Sequence, residues 1–258
     1  MDRDIAVRFN SVSFSYGDIK VLDNTSFHIH RGEFAAIVGP NGSGKTTVLK
    51  LLFGLEKPNK GSIDIFDAEK KKNYPSSRFG GSSISYVSQQ IPADNLFPIT
   101  VRDIVRMGLL RPLEGYKKNI DSAEEALEKT GIACLASRTY RTLSGGQKRR
   151  ALVARALAAN PDILVLDEPS ANMDAESEMM LYETLGSIKG KTTIIIVTHD
   201  TEFVTSLTDR VLCMGDGSHT VIQHGFEIDV SPRHGDDIKQ ARILHDKNIA
   251  GDDCCRHE

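Results

Sequence analysis

The run Gly39-Pro40-Asn41-Gly42-Ser43-Gly44-Lys45-Thr46-Thr47 carries the most specific chemistry in this chain. It fits the pattern G-x-x-x-x-G-K-[ST], with Gly39, Gly44, Lys45 and Thr46 at the fixed positions. Glycines let the backbone wrap closely and aim several N–H groups at one anion. Lys45 can then reach the outer phosphates of a nucleotide, and the Thr46 hydroxyl can ligate Mg2+. The apolar run FAAIV (34–38) precedes the motif and reads as a buried strand. Leu49, Leu52 and Phe53 follow at helical spacing. The glycines therefore fall at a strand-to-helix turn, where the helix N-terminus adds its partial positive charge. The bland alternative, a glycine-rich turn that binds nothing, does not need the strand, the helix and the lysine together.

Further chemistry sits at the ends of other apolar runs. ILVLDEP (163–169) is a continuous aliphatic strand that finishes in Asp167 and Glu168. A strand apolar on both faces belongs in a parallel sheet, and ligands collect at the carboxyl ends of such strands. Asp167 suits a Mg2+ shell, directly or through water. Glu168 suits polarising a water for attack on a terminal phosphate. TTIIIVTHD (192–200) repeats the design and places His199 to touch that phosphate or hold the water. The strand ISYV (84–87) delivers Gln89 and Gln90. In LSGGQKRRALVARALAANP (143–161), Ser144 and two glycines ahead of a helix resemble an N-cap and a second anion-binding helix end. Lys148, Arg149, Arg150 and Arg155 on that helix are expected to face solvent or the subdomain rather than nucleic acid.

The elements that must hold these groups follow from patterning. The 258 residues are 40% hydrophobic with a formal charge of −3, which fits a globular protein and argues against nucleic acid as a partner. No apolar run reaches a membrane span, and MDRDIAVRF lacks a signal-peptide core. Four cysteines in a chain of this length are no disulfide framework, so the expected compartment is reduced and cytoplasmic. From Ile5 to His30 the residues alternate, predicting paired strands with one buried face. Tyr16 there could stack on a base or simply cover the sheet. His28 and His30 share a face and are read as solvated or core residues rather than a metal pair, since no third ligand is near. GSIDIFD is another strand, whereas KKKNYPSSRFGGSS (70–83) is expected to be an exposed connection. Helical spacing dominates from Gln89 to Ala159. VLCMGDGSHTVIQHG reads as a closing hairpin with its turn at Gly215-Asp216-Gly217. Beyond Phe226 the pattern weakens. His219, His224, His234, His245, Cys254, Cys255 and His257 match no compact ligand motif, so the tail is read as solvated and partly disordered rather than metal-sensing.

GPNGSGKTT, LSGGQ, ILVLDEP, SANMD and THD, in this order, resemble the nucleotide-binding subunit of ATP-binding cassette (ABC) transporters over roughly residues 5–225, within one expected ABC transporter domain of about 5–240. The resemblance implies an α/β fold: a P-loop NTPase core with a parallel sheet, an antiparallel β edge subdomain and an inserted α-helical signature subdomain. The corresponding boundaries are 1–88 with 160–225 for the core, 89–159 for the insert and 226–258 for the tail. It implies ATP and Mg2+ as cofactors and Tyr16 as the ring on adenine. Gln89 becomes the glutamine that contacts Mg2+ and the attacking water and links to the membrane subunit. Ser144, Gly145, Gly146 and Gln147 become the signature that closes over ATP held by a second copy. Glu168 becomes the catalytic base, Asp174 the D-loop aspartate and His199 the switch histidine. Ser88 stands where many relatives have proline, and Asn172-Met173 is a less common D-loop pairing. The implied partners are an integral membrane permease, a second copy and an extracytoplasmic solute-binding protein, at the cytoplasmic membrane face. FPITVRDIVRMG (97–108) and the closing segment resemble zinc and manganese importers, so divalent-metal import is expected. Iron-siderophore importers share part of that likeness, and a soluble ABC ATPase is the other alternative.

Overall fold

The computed structural model describes residues 5–67, 72–75, 84–89, 98–109, 116–169, 173–199, 206–215, 221–228 and 241–248. In chain order they begin with β1 (Ile5–Tyr16), β2 (Ile19–His30), β3 (Phe34–Val38), α1 (Lys45–Leu52), β4 (Lys60–Asp67) and β5 (Lys72–Pro75). Next come β6 (Ile84–Val87), α2 (Val101–Arg106), α3 (Tyr116–Lys129), α4 (Gly145–Ala158), β7 (Ile163–Asp167) and α5 (Ala175–Ile188). The chain closes with β8 (Thr193–Thr198), β9 (Arg210–Met214), β10 (Val221–Ile228) and β11 (Ala241–Asn248). Two compact units result, residues 1–82 with 190–258 and residues 83–189. No helix among the described residues is long and apolar enough to cross a membrane.

In the first unit, alternation in β1 and β2, interrupted by register shifts that include one between Phe9 and Val12, buries Val7, Phe9, Val12, Phe14, Leu22, Phe27 and Ile29. Phe9 pairs with Phe27 across the ladder, and their rings stack with centroids 4.4 Å apart. The antiparallel sheet runs β2-β1-β4-β5. β5 is a difference from the exposed connection expected at 70–83. Its backbone pairs with β4 from Asp64↔Pro75 to Asp67↔Lys72, and edge pairing of this kind needs no apolar alternation. The unit's other strands run β11-β10-β9-β3-β8. β3 is buried throughout and lies in parallel between β8 and β9. A buried ion pair, Arg210 Nη2 to Glu33 Oε1 at 2.8 Å, braces this sheet. Burial acts to raise the Glu33 pKa, but Arg210 overrides it and holds the carboxyl below its ordinary range. β9 and β10 pair antiparallel, as the expected closing hairpin requires, while Asp216 and Gly217 of its expected turn lie outside the described residues. The tail contains more than was expected, since β11 adds antiparallel to β10 from Ile228↔Ala241 onward.

The second unit packs α2, α3 and α4 around Val101, Val105, Leu127, Ile132, Ala151 and Ala154. Thr100 caps α2 through a reciprocal box with Asp103. Gly108 lies so close to Arg155 O that a Cβ would collide with it, which fixes the end of this helical layer on α4. β6 and β7 pair in parallel, Ile84↔Ile163 to Val87↔Leu166.

Candidate functional site

In the first unit the phosphate-loop residues are held by β3 and α1. The Gly39 N–H donates to Thr198 O at 3.3 Å, so the loop starts beside the end of β8, and exposed His199 follows at once. A Cβ at Gly39 would sit 2.5 Å from Met214 O and 2.8 Å from Ser43 Oγ, so no larger residue fits. Gly42 (φ 85°) and Gly44 (φ 100°) adopt the left-handed backbone that glycine tolerates. Gly44 is the N-cap of α1 and offers no side chain, so the first-turn N–H groups gain no side-chain cap. Ser43 Oγ is buried without a hydrogen-bond partner among the described residues. Lys45 is buried and turns its ammonium back into the loop, donating to Gly39 O at 2.5 Å and Pro40 O at 2.8 Å. Pro40, Asn41 and Thr46 are exposed and Thr47 is buried. Tyr16 closes β1 next to this helix: its ring packs edge-on against Phe14, and Lys50 Nζ reaches its hydroxyl at 3.3 Å.

The second unit gathers the other candidates around β7 and α4. Asp167 ends β7, and its Oδ2 accepts from Tyr86 OH at 3.0 Å. Burial and the Asp167 carboxylate push the Tyr86 phenol pKa well above its ordinary value. Glu168 is buried and sits at φ 46°, a left-handed conformation rare for a residue with a Cβ. Gln89 is exposed just past β6, whereas Gln90 lies outside the described residues. Ser144 caps α4 as expected: its Oγ accepts from Gln147 N at 3.3 Å, and Gln147 Oε1 accepts from Ser144 N at 3.1 Å. Gly145 is exposed, but Gly146 is buried against α5, where a Cβ would collide with Ser177 Oγ. Asp174 caps α5 by accepting from Ser177 N at 2.9 Å and Ser177 Oγ at 3.0 Å, and these bonds hold its pKa below the ordinary range.

Two residues that the motifs leave unmarked stand out here. Tyr86 owes its place to the β6–β7 register. Arg149 is a buried side chain whose guanidinium bonds main-chain carbonyls at the ends of both strands. Arg150 is buried too, and its Nη1 reaches Met180 Sδ at 2.8 Å. Neither arginine faces solvent: Arg150 reaches the carbonyls of Thr130 and Gly131 within the helical insert, whereas Arg149 turns to the ends of β6 and β7.

The family model described as ABC transporter matches residues 22–171. The chain belongs to that family. It is similar to a probable metal transport system ATP-binding protein of Chlamydia muridarum, 39% identical over 210 residues covering 79% of this chain and 86% of the relative. It is also similar to the zinc uptake system ATP-binding protein ZurA of Listeria monocytogenes, 34% identical over 230 residues covering 84% of this chain and 88% of ZurA. Among solved structures it resembles the dimeric structure of MJ0796, a bacterial ABC transporter cassette, with TM-score 0.66 and 28% identity over 83% of this chain and 96% of that one. This ABC protein is thus an ATP-binding subunit whose ATP hydrolysis is coupled to transport. The loop fits a polyphosphate: Gly39 leaves no space for a side chain, Ser43 Oγ lacks a partner among the described residues, and the α1 N-terminus has no side-chain cap. The donors proposed for Mg2+, the Thr46 hydroxyl, Gln89 amide and Asp167 carboxylate, are the hard oxygens that this ion takes.

Proposed function

We propose that this chain powers import of a divalent metal, zinc or manganese, through an ATP-bound pair of its own copies seated on a membrane permease. An extracytoplasmic solute-binding protein would deliver the ion. Within each copy, Gly39, Pro40, Asn41, Gly42, Ser43 and Gly44 wrap the phosphates, and Lys45 exchanges the carbonyls of Gly39 and Pro40 for phosphate oxygens. Thr47 packs beneath the loop, and the Tyr16 ring lies against adenine. Thr46, Gln89 and Asp167 would hold Mg2+, which offsets phosphate charge when bound. Glu168 takes a proton from the attacking water, and His199 hydrogen-bonds the terminal phosphate. Ser144, Gly145, Gly146 and Gln147 of the second copy present a helix N-terminus to the same phosphate, with Asp174 alongside.

The observation that carries the ATP chemistry is the geometry at Gly39 to Lys45, where Gly39 tolerates no Cβ and the lysine ammonium is already turned inward. The metal reading rests on what its relatives are named for. Uptake of labelled zinc and manganese in cells lacking this chain is the direct test. Wild type is expected to restore uptake of one of these ions, and Glu168→Gln to bind ATP yet restore none. Restoration of iron-siderophore uptake instead would overturn the metal assignment. Purification without any integral membrane subunit would favour a soluble ATPase.

A further inference from the structure

Arg149 is the largest fully buried side chain among the described residues, at 2% exposure. It lies on α4, two residues beyond the signature glutamine Gln147. Its guanidinium donates to three main-chain oxygens: Nε to Pro169 O at 3.1 Å, Nη2 to Glu168 O at 2.5 Å, and Nη1 to Ser88 O. Each acceptor belongs to, or adjoins, a residue proposed to act on ATP. Ser88 precedes Gln89, and Pro169 follows Glu168. A buried cation with no hydrogen-bonded carboxylate is costly unless other polar groups offset it; here each guanidinium nitrogen has a carbonyl, and the Asp167 and Glu168 carboxylates favour the charge from nearby. The planar fork of arginine spans three acceptors that the single nitrogen of lysine cannot reach together.

The acceptors matter because of the backbone they hold. Glu168 turns out of β7 in the left-handed region, a conformation that persists only when its surroundings enforce it. Bonds to Glu168 O and Pro169 O grip both carbonyls that follow this turn. The third bond ties it to the root of the loop carrying Gln89. The same helix begins at Ser144, little more than one turn earlier. We infer that Arg149 is a positioning residue for ATP hydrolysis. It locks the Glu168 turn, the Gln89 root and the signature helix into one piece, so that the Glu168 carboxylate keeps its aim at the attacking water. This rests on Glu168 being the general base. Lys45 and the loop that takes the phosphates lie in the other unit and make no part of this clamp.

The test uses the purified full chain with Arg149→Lys and Arg149→Gln, each with and without Glu168→Gln. Fluorescent-nucleotide titration reads ATP affinity, and phosphate release reads kcat and KM. Both variants are expected to bind ATP within about threefold of wild type while kcat falls about 10–100-fold, the misplacement cost of a reacting group. Lys, which keeps the charge but gathers its donors on a single nitrogen, falls least. In the Glu168→Gln background neither Arg149 variant lowers the residual rate further, because the residue acts through Glu168. An unchanged kcat, a rise in KM alone, or losses that multiply with Glu168→Gln would overturn the inference. So would joint loss of ATP binding and turnover in Arg149→Lys, which makes Arg149 a packing residue only. Wild-type turnover in Glu168→Gln strikes a different claim, the base assignment, and removes the clamp's target with it.

Discussion

The Tyr86 hydroxyl donates to Asp167 Oδ2 at 3.0 Å and so fixes the rotation of a carboxylate proposed to hold Mg2+. Because burial and the neighbouring carboxylate raise its pKa, the phenol keeps its proton across the neutral range and stays a donor. Outer partners of metal-holding side chains typically change affinity or activity by 10–100-fold when removed. Tyr86 is 39% exposed, so water replaces part of what is lost and the lower end applies. Tyr86→Phe is therefore expected to raise the Mg2+ concentration for half-maximal ATPase activity about tenfold, with little change in kcat at saturating Mg2+. A Mg2+ titration of phosphate release checks this, and an unshifted curve would remove Tyr86 from the site. Nothing local in ISYV marks the residue. Its meaning comes from the parallel register Tyr86↔Val165, which brings Asp167 within reach across 81 positions of sequence.

Between elements, the closest approach near the signature is α4 on α5. Gly146 is buried because a Cβ there would collide with Ser177 Oγ and lie 2.5 Å from Ser177 Cβ, beside the carboxylate that caps α5. A methyl group at this point must push the two helix starts apart. Gly146→Ala is expected to cost about 1–3 kcal/mol, the usual penalty of overpacking. Thermal unfolding should show the loss, and adding Ser177→Gly should recover part of it. Failure of that rescue would mean that Gly146 is small for a reason outside this contact. The wider pattern explains what the chain revealed by itself. β3, β7 and β8 were readable because burial on both faces leaves continuous aliphatic runs, and Ser144 because capping is a local device. β5 and β11 were not readable, since their order comes from pairing with β4 and β10 rather than from their own patterning. The charge run Lys148-Arg149-Arg150 likewise suggested an exposed face as readily as an inward one. Only the carbonyls they meet, at the strand ends for Arg149 and after α3 for Arg150, explain why two of these cations are buried.

At the scale of the whole molecule, the residues proposed for ATP are divided between the two units. Tyr16, Lys45, Thr46 and His199 belong to one, whereas Gln89, Ser144, Asp167, Glu168 and Asp174 belong to the other. Ser144 opens a helix whose N-terminal dipole favours an added anion, and in the proposed pair that anion is the terminal phosphate held by Lys45 of the second copy. ATP carries that charge to the interface, and ADP does not. Association should therefore follow the nucleotide, and it should weaken with salt wherever the contact is exposed. Glu168→Gln removes a negative charge that would face the phosphate oxygens and also removes the proposed base. The repulsion falls while the bridging phosphate persists. Light scattering of this variant is expected to give the mass of two chains with saturating ATP and of one chain with ADP, while its turnover drops about 10²–10⁴-fold. Adding Ser144→Arg, whose side chain obstructs the helix end, should return the mass to one chain while each copy still binds ATP. A single-chain mass for Glu168→Gln at saturating ATP, with the membrane subunit supplied, would mean that phosphate charge does not join the copies.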